Sequence, residues 1–158
     1  IVRSMPTTPA AVGKGITAII GNGHAGAADM DTTTELLSAV GQVVRLEDEG
    51  QMDAVTGLSG SGPAYVFLLI EAMTTAGIEQ GLAPDLALQL ARATAAGAGA
   101  LAEGSTESPA QLRINVTSPN GTTQAALEVL MDPSAGLPPL VSRAIAAATH
   151  RSKELARG

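Results

Sequence analysis

The sequence predicts a mainly α-helical chain that opens with a short α/β piece, and three observations carry that reading. β-prone runs occupy the chain up to Glu47-Asp48-Glu49, and helix-forming runs follow it. One Tyr, one Phe and no Trp among 158 residues leave a core of Ala, Leu, Val and Ile, which suits close helix–helix packing. The punctuation beyond Glu49 is regular, with Pro63, Pro84 and Pro109 at positions that open helices.

Residues 15–20 and 42–46 are the candidate strands. Between them, Asp31-Thr32-Thr33-Thr34-Glu35 supplies helix-start chemistry, Leu36, Leu37 and Val40 the buried stripe, and Gly41 the stop. The result is a β–α–β unit, as at the edge of an α/β sheet. So few strands cannot cover both faces of a sheet, so this part is expected to be the tail of a larger domain. Helices are predicted over 50–58, 63–76 with a stop at Gly77, and 84–104 with Asp85 in the first turn. Ser108-Pro109 opens a short helix through Leu112, and Gly121-Thr122-Thr123 opens another through Met131. The last covers 140–155, with Leu140, Val141, Ala144, Ile145 and Ala148 at helical spacing. That makes about six helices without an internal repeat. The Ala/Gly stretch 93–102 reads as a helix packed closely at an interface.

A net charge of −6 and a pI near 4.7 offer no basic surface to a phosphate backbone, and two aromatics offer little for bases to stack on. Nucleic-acid binding is excluded as an expectation. With 45% hydrophobic and 15% charged residues and a mean hydropathy of +0.23, the chain is too apolar for disorder. Zero Cys removes disulfides, thiol catalysis and thiolate metal sites, and suits a cytoplasmic setting. The longest uncharged run, 54–70, is broken by Gly57, Gly60, Gly62 and Pro63, so no membrane-spanning helix is expected. The start Ile1-Val2-Arg3-Ser4 lacks Met and a signal pattern and reads as cut from something longer.

Gly21-Asn22-Gly23-His24-Ala25-Gly26 matches G-x-G-x-x-G after a candidate strand. A dinucleotide fingerprint needs the helix to begin inside the motif. Here the helix is expected no earlier than Asp29, which favours a loop. Val116-Thr117-Ser118-Pro119-Asn120-Gly121-Thr122-Thr123-Gln124 is the most informative stretch. Hydroxyls, a glycine and a helix start without an acid in its first turn suit an anion, carboxylate or phosphate. On spacing alone, a Ser- or Asn-capped helix is an equal alternative. The segment from Gly57 to Tyr65 is a Gly/Ser hinge at a helix start, read as a tight interhelical turn. Glu71, in the apolar helix that follows, is expected to be hydrogen-bonded at an interface. His24 and His150 have no carboxylate at metal-ligand spacing, so no metal site is expected. No Ser-His-Asp pattern supports nucleophilic hydrolysis.

Val2-Arg3-Ser4-Met5-Pro6-Thr7-Thr8-Pro9-Ala10, then 53–65 (Asp53-Ala54-Val55-Thr56-Gly57-Leu58-Ser59-Gly60-Ser61-Gly62-Pro63-Ala64-Tyr65), Leu112-Arg113, and 116–123 resemble pyrroline-5-carboxylate reductase. The motifs occur in the right order over nearly the whole chain. The resemblance implies residues 1–48 as the C-terminal remnant of a Rossmann-type NAD(P)-binding domain. Residues 49–158 would then form an all-helical substrate and dimerisation domain of the 6-phosphogluconate dehydrogenase C-terminal-like type. It implies reduction of the cyclic imine pyrroline-5-carboxylate to proline with NADPH or NADH, in homodimers that can assemble into decamers.

Carried over, the resemblance puts the substrate carboxylate on the Ser118 hydroxyl and the N–H groups around Gly121, Thr122 and Thr123. The Thr123 hydroxyl is placed on the imine nitrogen as the catalytic group, Glu49 on the substrate side, and Thr7 and Asn115 at the cofactor. Two departures stand out: Thr7 where the family usually has Asn, and Asn120 where it usually has Gly. Altered kinetics with the fold kept are expected from them. Two other functions are weighed: a helical dimerisation module without turnover, and a reductase of another small carboxylated imine or carbonyl.

Overall fold

A strand buried on both faces needs a continuous apolar run, and Ile16-Thr17-Ala18-Ile19-Ile20 is that run. In the computed structural model, which describes residues 1–157, it forms β2 (Gly15–Gly21), the middle of a three-stranded sheet, with Thr17, Ala18, Ile19 and Ile20 buried. β1 (Val2–Met5) lies antiparallel beside it, Val2 opposite Gly21 and Met5 opposite Ala18. β3 (Gly41–Arg45) lies parallel on the other side, Gly15 opposite Gly41 and Ile19 opposite Arg45. The crossover between β2 and β3 is α1 (Ala27–Ser38). Arg45 ties the end of β3 to this helix, its Nη2 donating to Asp31 Oδ1 at 2.8 Å and to Thr34 Oγ1 at 2.8 Å.

Gly41 does not stop α1, which ends at Ser38; it opens β3. With φ at 148°, any Cβ there would overlap the Gly15 carbonyl oxygen, so this crossing of two parallel strands requires glycine. α1 also starts two residues before the earliest expected position. The Asp29 carboxylate accepts the Gly26 N–H at 2.9 Å, which satisfies a donor at the helix start and lets the helix begin at Ala27. The helix still begins after Gly21–Gly26 rather than inside it, so the segment remains a loop and not a dinucleotide fingerprint, and charge adds a second obstacle. Asp29 places a carboxylate where a pyrophosphate would have to sit.

Beyond the sheet the described chain is helical, with a 3₁₀ turn over Glu49–Gln51 leading into α2 (Met52–Val55). α3 is Gly62–Glu79, α4 Pro84–Gly104, α5 Pro109–Asn115, α6 Thr122–Leu130 and α7 Leu137–Ala156. α7 starts three residues earlier than expected, because Pro138 and Pro139 fall in its first turn, where a missing N–H costs nothing. α3 runs through Gly77 rather than stopping there. A Cβ at Gly77 would lie 3.3 Å from the Ala87 Cβ, so the glycine serves the close approach of α4.

The Gly57–Tyr65 segment is a correction of a different kind. No interhelical turn forms there; Thr56–Gly60 is a π-helix joining α2 towards α3, with the Ser61 N–H donating to the Thr56 carbonyl at 2.8 Å. Tyr65 Oη donates to the Gly57 carbonyl at 2.8 Å and supplies a partner for that acceptor.

The chain divides into two compact units, residues 1–65 with 142–157, and residues 66–141. In the first, Met52 is fully buried and Gly57 lies against Ile145 and Thr149 of α7, where Ser152 Oγ donates to Asp53 Oδ1 at 2.6 Å. In the second, Ala87 and Ala91 form the buried face of α4. Phe67, Leu68 and Leu69 of α3 are exposed, Phe67 by 62%. A helix face that is apolar and exposed in this way has the character of an association surface. Glu71 is exposed on the same helix. Among the described residues no helix is long and apolar enough to cross a membrane.

Between α6 and α7, Asp132 Oδ1 accepts from the Ser134 hydroxyl at 2.7 Å and from the N–H groups of Ser134 and Ala135 at 2.8 and 2.7 Å. The Ser134 hydroxyl first, then the two backbone donors, hold its carboxyl below the ordinary value of 3.8. A carboxyl with a lowered folded pKa stabilises fully above its unfolded value and loses that stabilisation as pH falls through the folded one. Urea melts between pH 2 and 6 should therefore show a steeper acid loss for the wild type than for Asp132→Asn. Parallel slopes would remove Asp132 from acid unfolding.

Candidate functional site: the α6 N-terminus

α5 is capped in the ordinary way, the Ser108 hydroxyl accepting the Gln111 N–H at 3.2 Å. α6 is not. Its N-cap is Gly121, no side chain caps it, and its first turn contains no acid. The N–H groups of Thr122, Thr123 and Gln124 consequently have no partner within the described chain. Three donors at the positive end of a nine-residue helix suit an anion chemically.

The loop leading into α6 is built by local chemistry. Thr117 anchors its start, the side-chain hydroxyl donating to the Arg113 carbonyl at 2.6 Å. Ser118 to Gly121 form a turn closed by the Gly121 N–H donating to the Ser118 carbonyl at 3.1 Å. Pro119 stands at the second position and Asn120 at the third, with φ at 57°, the pattern of a type II turn. Asn120 is the one non-glycine residue with positive φ among those described. The expected tolerance of Asn for this backbone is thus realised. Since the Gly121 N–H is engaged in the turn, the open backbone donors are those of Thr122, Thr123 and Gln124.

Ser118 and Thr122 are exposed and Thr123 is half-buried, all three in the second unit with Asn115. Neither the Ser118 nor the Thr123 hydroxyl makes a hydrogen bond within the described chain, so both are available to a ligand. Asn115 is held at both ends, its Nδ2 donating to Glu107 Oε2 at 2.9 Å and its Oδ1 accepting from Gln111 Nε2 at 2.8 Å. Thr7 and Glu49 belong to the first unit. Thr7 is 6% exposed and its Oγ1 accepts the Ile16 N–H at 3.0 Å, which locks the turn after β1 onto β2. Glu49 forms an ion pair with Arg3 of β1, and both side chains are about half exposed.

Two site features escaped sequence reasoning. Gln124 reaches back from the third residue of α6, its Oε1 accepting the Asn120 N–H at 2.8 Å. The signal available was a Gln three residues after a helix start, the second half of a capping box. Arg113 and Gln124 also face one cleft of about 410 Å³ between α5 and α6, shared with Thr117, Leu127, Glu128 and Met131. Arg113 Nη1 lies 2.8 Å from the Met131 sulfur there.

Residues 49–155 match the family model for pyrroline-5-carboxylate reductase dimerisation. The chain belongs to the pyrroline-5-carboxylate reductase dimerisation family. Pyrroline-5-carboxylate reductase of Pseudomonas aeruginosa is 48% identical over 156 residues, 99% of this chain and 56% of that protein. Among solved structures, a pyrroline-5-carboxylate reductase from Coxiella burnetii superposes with a TM-score of 0.93 at 40% identity, over 98% of this chain and 57% of that one. The Plasmodium falciparum pyrroline carboxylate reductase, solved with NADP bound, superposes with a TM-score of 0.86 at 33% identity, over 98% of this chain and 58% of that one. The chain thus spans a little over half the length of these three proteins.

Proposed function

We propose that this chain forms the C-terminal part of a pyrroline-5-carboxylate reductase, which adds hydride to the C=N carbon of 1-pyrroline-5-carboxylate and a proton to its nitrogen, giving L-proline. The observation that carries the reading is the uncapped, acid-free N-terminus of α6 behind the Ser118 turn, on a chain of this family. The substrate carboxylate sits on the Ser118 hydroxyl and the Thr122 and Thr123 N–H groups, where charge-assisted bonds are strong. Gly121 contributes by its lack of a side chain beside the anion. The Thr123 hydroxyl donates to the imine nitrogen, polarising the C=N bond towards the charge it carries in the transition state. Glu49 serves the substrate side.

NADPH or NADH, when bound, supplies the hydride. Of this chain's residues, Thr7 in the first unit and Asn115 in the second are the two proposed for the cofactor. Asn115 fits, since its amide is held at both ends and keeps a second N–H to donate, whereas Thr7 is buried with its hydroxyl on the Ile16 N–H. The division into a cofactor-domain remnant over 1–48 and a helical substrate and dimerisation domain over 49–158 is supported by the start of the family match at residue 49. The exposed apolar face of α3 supports a homodimer, and decamers of such dimers are the next level of assembly. A cytoplasmic setting fits the absence of cysteine. One observation favours a second reading, a dimerisation module without turnover: the Thr7 hydroxyl already serves the Ile16 N–H.

The test is NADPH consumption by the full-length protein on adding pyrroline-5-carboxylate, with proline identified as product. Turnover is expected. Binding of NADPH without turnover would overturn the substrate, and failure to bind it would favour the non-catalytic module.

A further inference from the structure

In an ordinary capping box the third helical residue sends its side chain back to the N–H of the N-cap. In α6 that N–H, on Gly121, is already held by the Ser118 carbonyl, and Gln124 instead takes the N–H of Asn120, one residue further out. The amide of Gln124 is oriented by its other end, since Nε2 donates at 3.2 Å to Glu128 Oε1, and a carboxylate can only accept. Oε1 is thereby aimed at Asn120. Asn120 needs holding, because a residue with a Cβ at φ 57° is disfavoured relative to glycine, even if Asn tolerates it better than most. The bond closes a loop of three links, Glu128 to Gln124 to Asn120 and back through the helix, without using any of the three open N–H groups.

We propose that Gln124 is a positioning residue for the substrate-binding loop: its Oε1 holds Asn120 in the left-handed conformation and so presets Ser118 and the Thr122 and Thr123 N–H groups for a carboxylate. The inference rests on the carboxylate reading of this loop given above. It makes the demand for Gln124 conditional on Asn120. Glycine at position 120 reaches the same backbone without strain and should not need the bond.

The test uses the full-length enzyme carrying Gln124→Met, which keeps the length of the side chain and removes the acceptor, in the wild-type and Asn120→Gly backgrounds. KM for pyrroline-5-carboxylate and kcat are measured at saturating NADPH, and amide exchange of residue 120 is followed in the wild-type background. Gln124→Met should raise KM about 5- to 10-fold with kcat within about twofold, the loss expected for one such hydrogen bond. In the Asn120→Gly background the same substitution should raise KM by less than about twofold. In the wild-type background Gln124→Met should also speed exchange of the Asn120 amide about tenfold. An equal rise in KM in both backgrounds, no rise in either, or unchanged exchange would overturn the proposal. If the wild type has no turnover on this substrate, the carboxylate reading fails, and exchange at Asn120 still decides whether Gln124 holds the loop.

Discussion

Thr123→Ala should lower kcat/KM for pyrroline-5-carboxylate by about 100-fold while leaving the melting temperature unchanged or slightly raised. A hydrogen bond that strengthens as charge shifts onto the imine nitrogen is worth about 10²–10³ in rate when removed from other enzymes. Here the Thr123 hydroxyl is free of internal partners and sits beside the open N–H groups of α6. Nothing in the fold depends on it, and Ala is the better helix former. Thr123→Ser keeps the hydroxyl and should recover most of the rate. The two variants together separate chemistry from packing. A full-length Thr123→Ala enzyme with wild-type kcat/KM would remove this residue from the mechanism, and loss of activity in the Ser variant equal to that in Ala would assign the effect to the lost methyl group.

Gly57→Ala should destabilise the fold by about 2–4 kcal/mol, at the upper end of overpacking costs, and lower the melting temperature by about 5–12 °C. A Cβ at Gly57 would overlap Thr149 Oγ1 and stand 3.0 Å from the Ile145 carbonyl and 3.1 Å from the Thr149 N–H nitrogen. The threonine side chain can rotate away, but the backbone of α7 cannot without separating from the π-helix. The Ser152–Asp53 hydrogen bond, one turn along, would be stretched by the same displacement. Gly62→Ala is the control, since a Cβ there meets nothing within 4 Å. Thermal melts of the two variants should differ by the full amount, and equal melting temperatures would show that α7 does not press on Gly57.

Much of this was legible in the residues. The apolar run of β2, the prolines that open α4 and α5, and the acid-free start of α6 each follow from a few adjacent side chains acting on their own backbone, and each formed as read. The left-handed turn at Asn120 belongs with them, because Pro119 and Gly121 flank it. Family membership was legible for a related reason: Ser118, Thr122 and Thr123 carry residue types that packing alone would not demand.

What tertiary structure decided is what depends on a distant partner. Gly77 was expected to end a helix, and continues one because Ala87 of α4 needs the space. Thr56–Gly60 forms a π-helix rather than a turn, and its Gly57 lies against Ile145 and Thr149 of α7, some ninety residues away. β1 was overlooked as a strand because four residues have no pattern of their own until β2 pairs with them. The family resemblance places Thr7 at a cofactor, and its burial against Ile16 is visible only once β2 is placed. The sequence by itself determined the local elements, the open helix end and the family, since propensity, capping and turn chemistry act within a few residues. The tertiary structure alone decided which glycines are spacers, which hydroxyls are already engaged and how Gln124 holds Asn120, because those depend on groups brought together by folding.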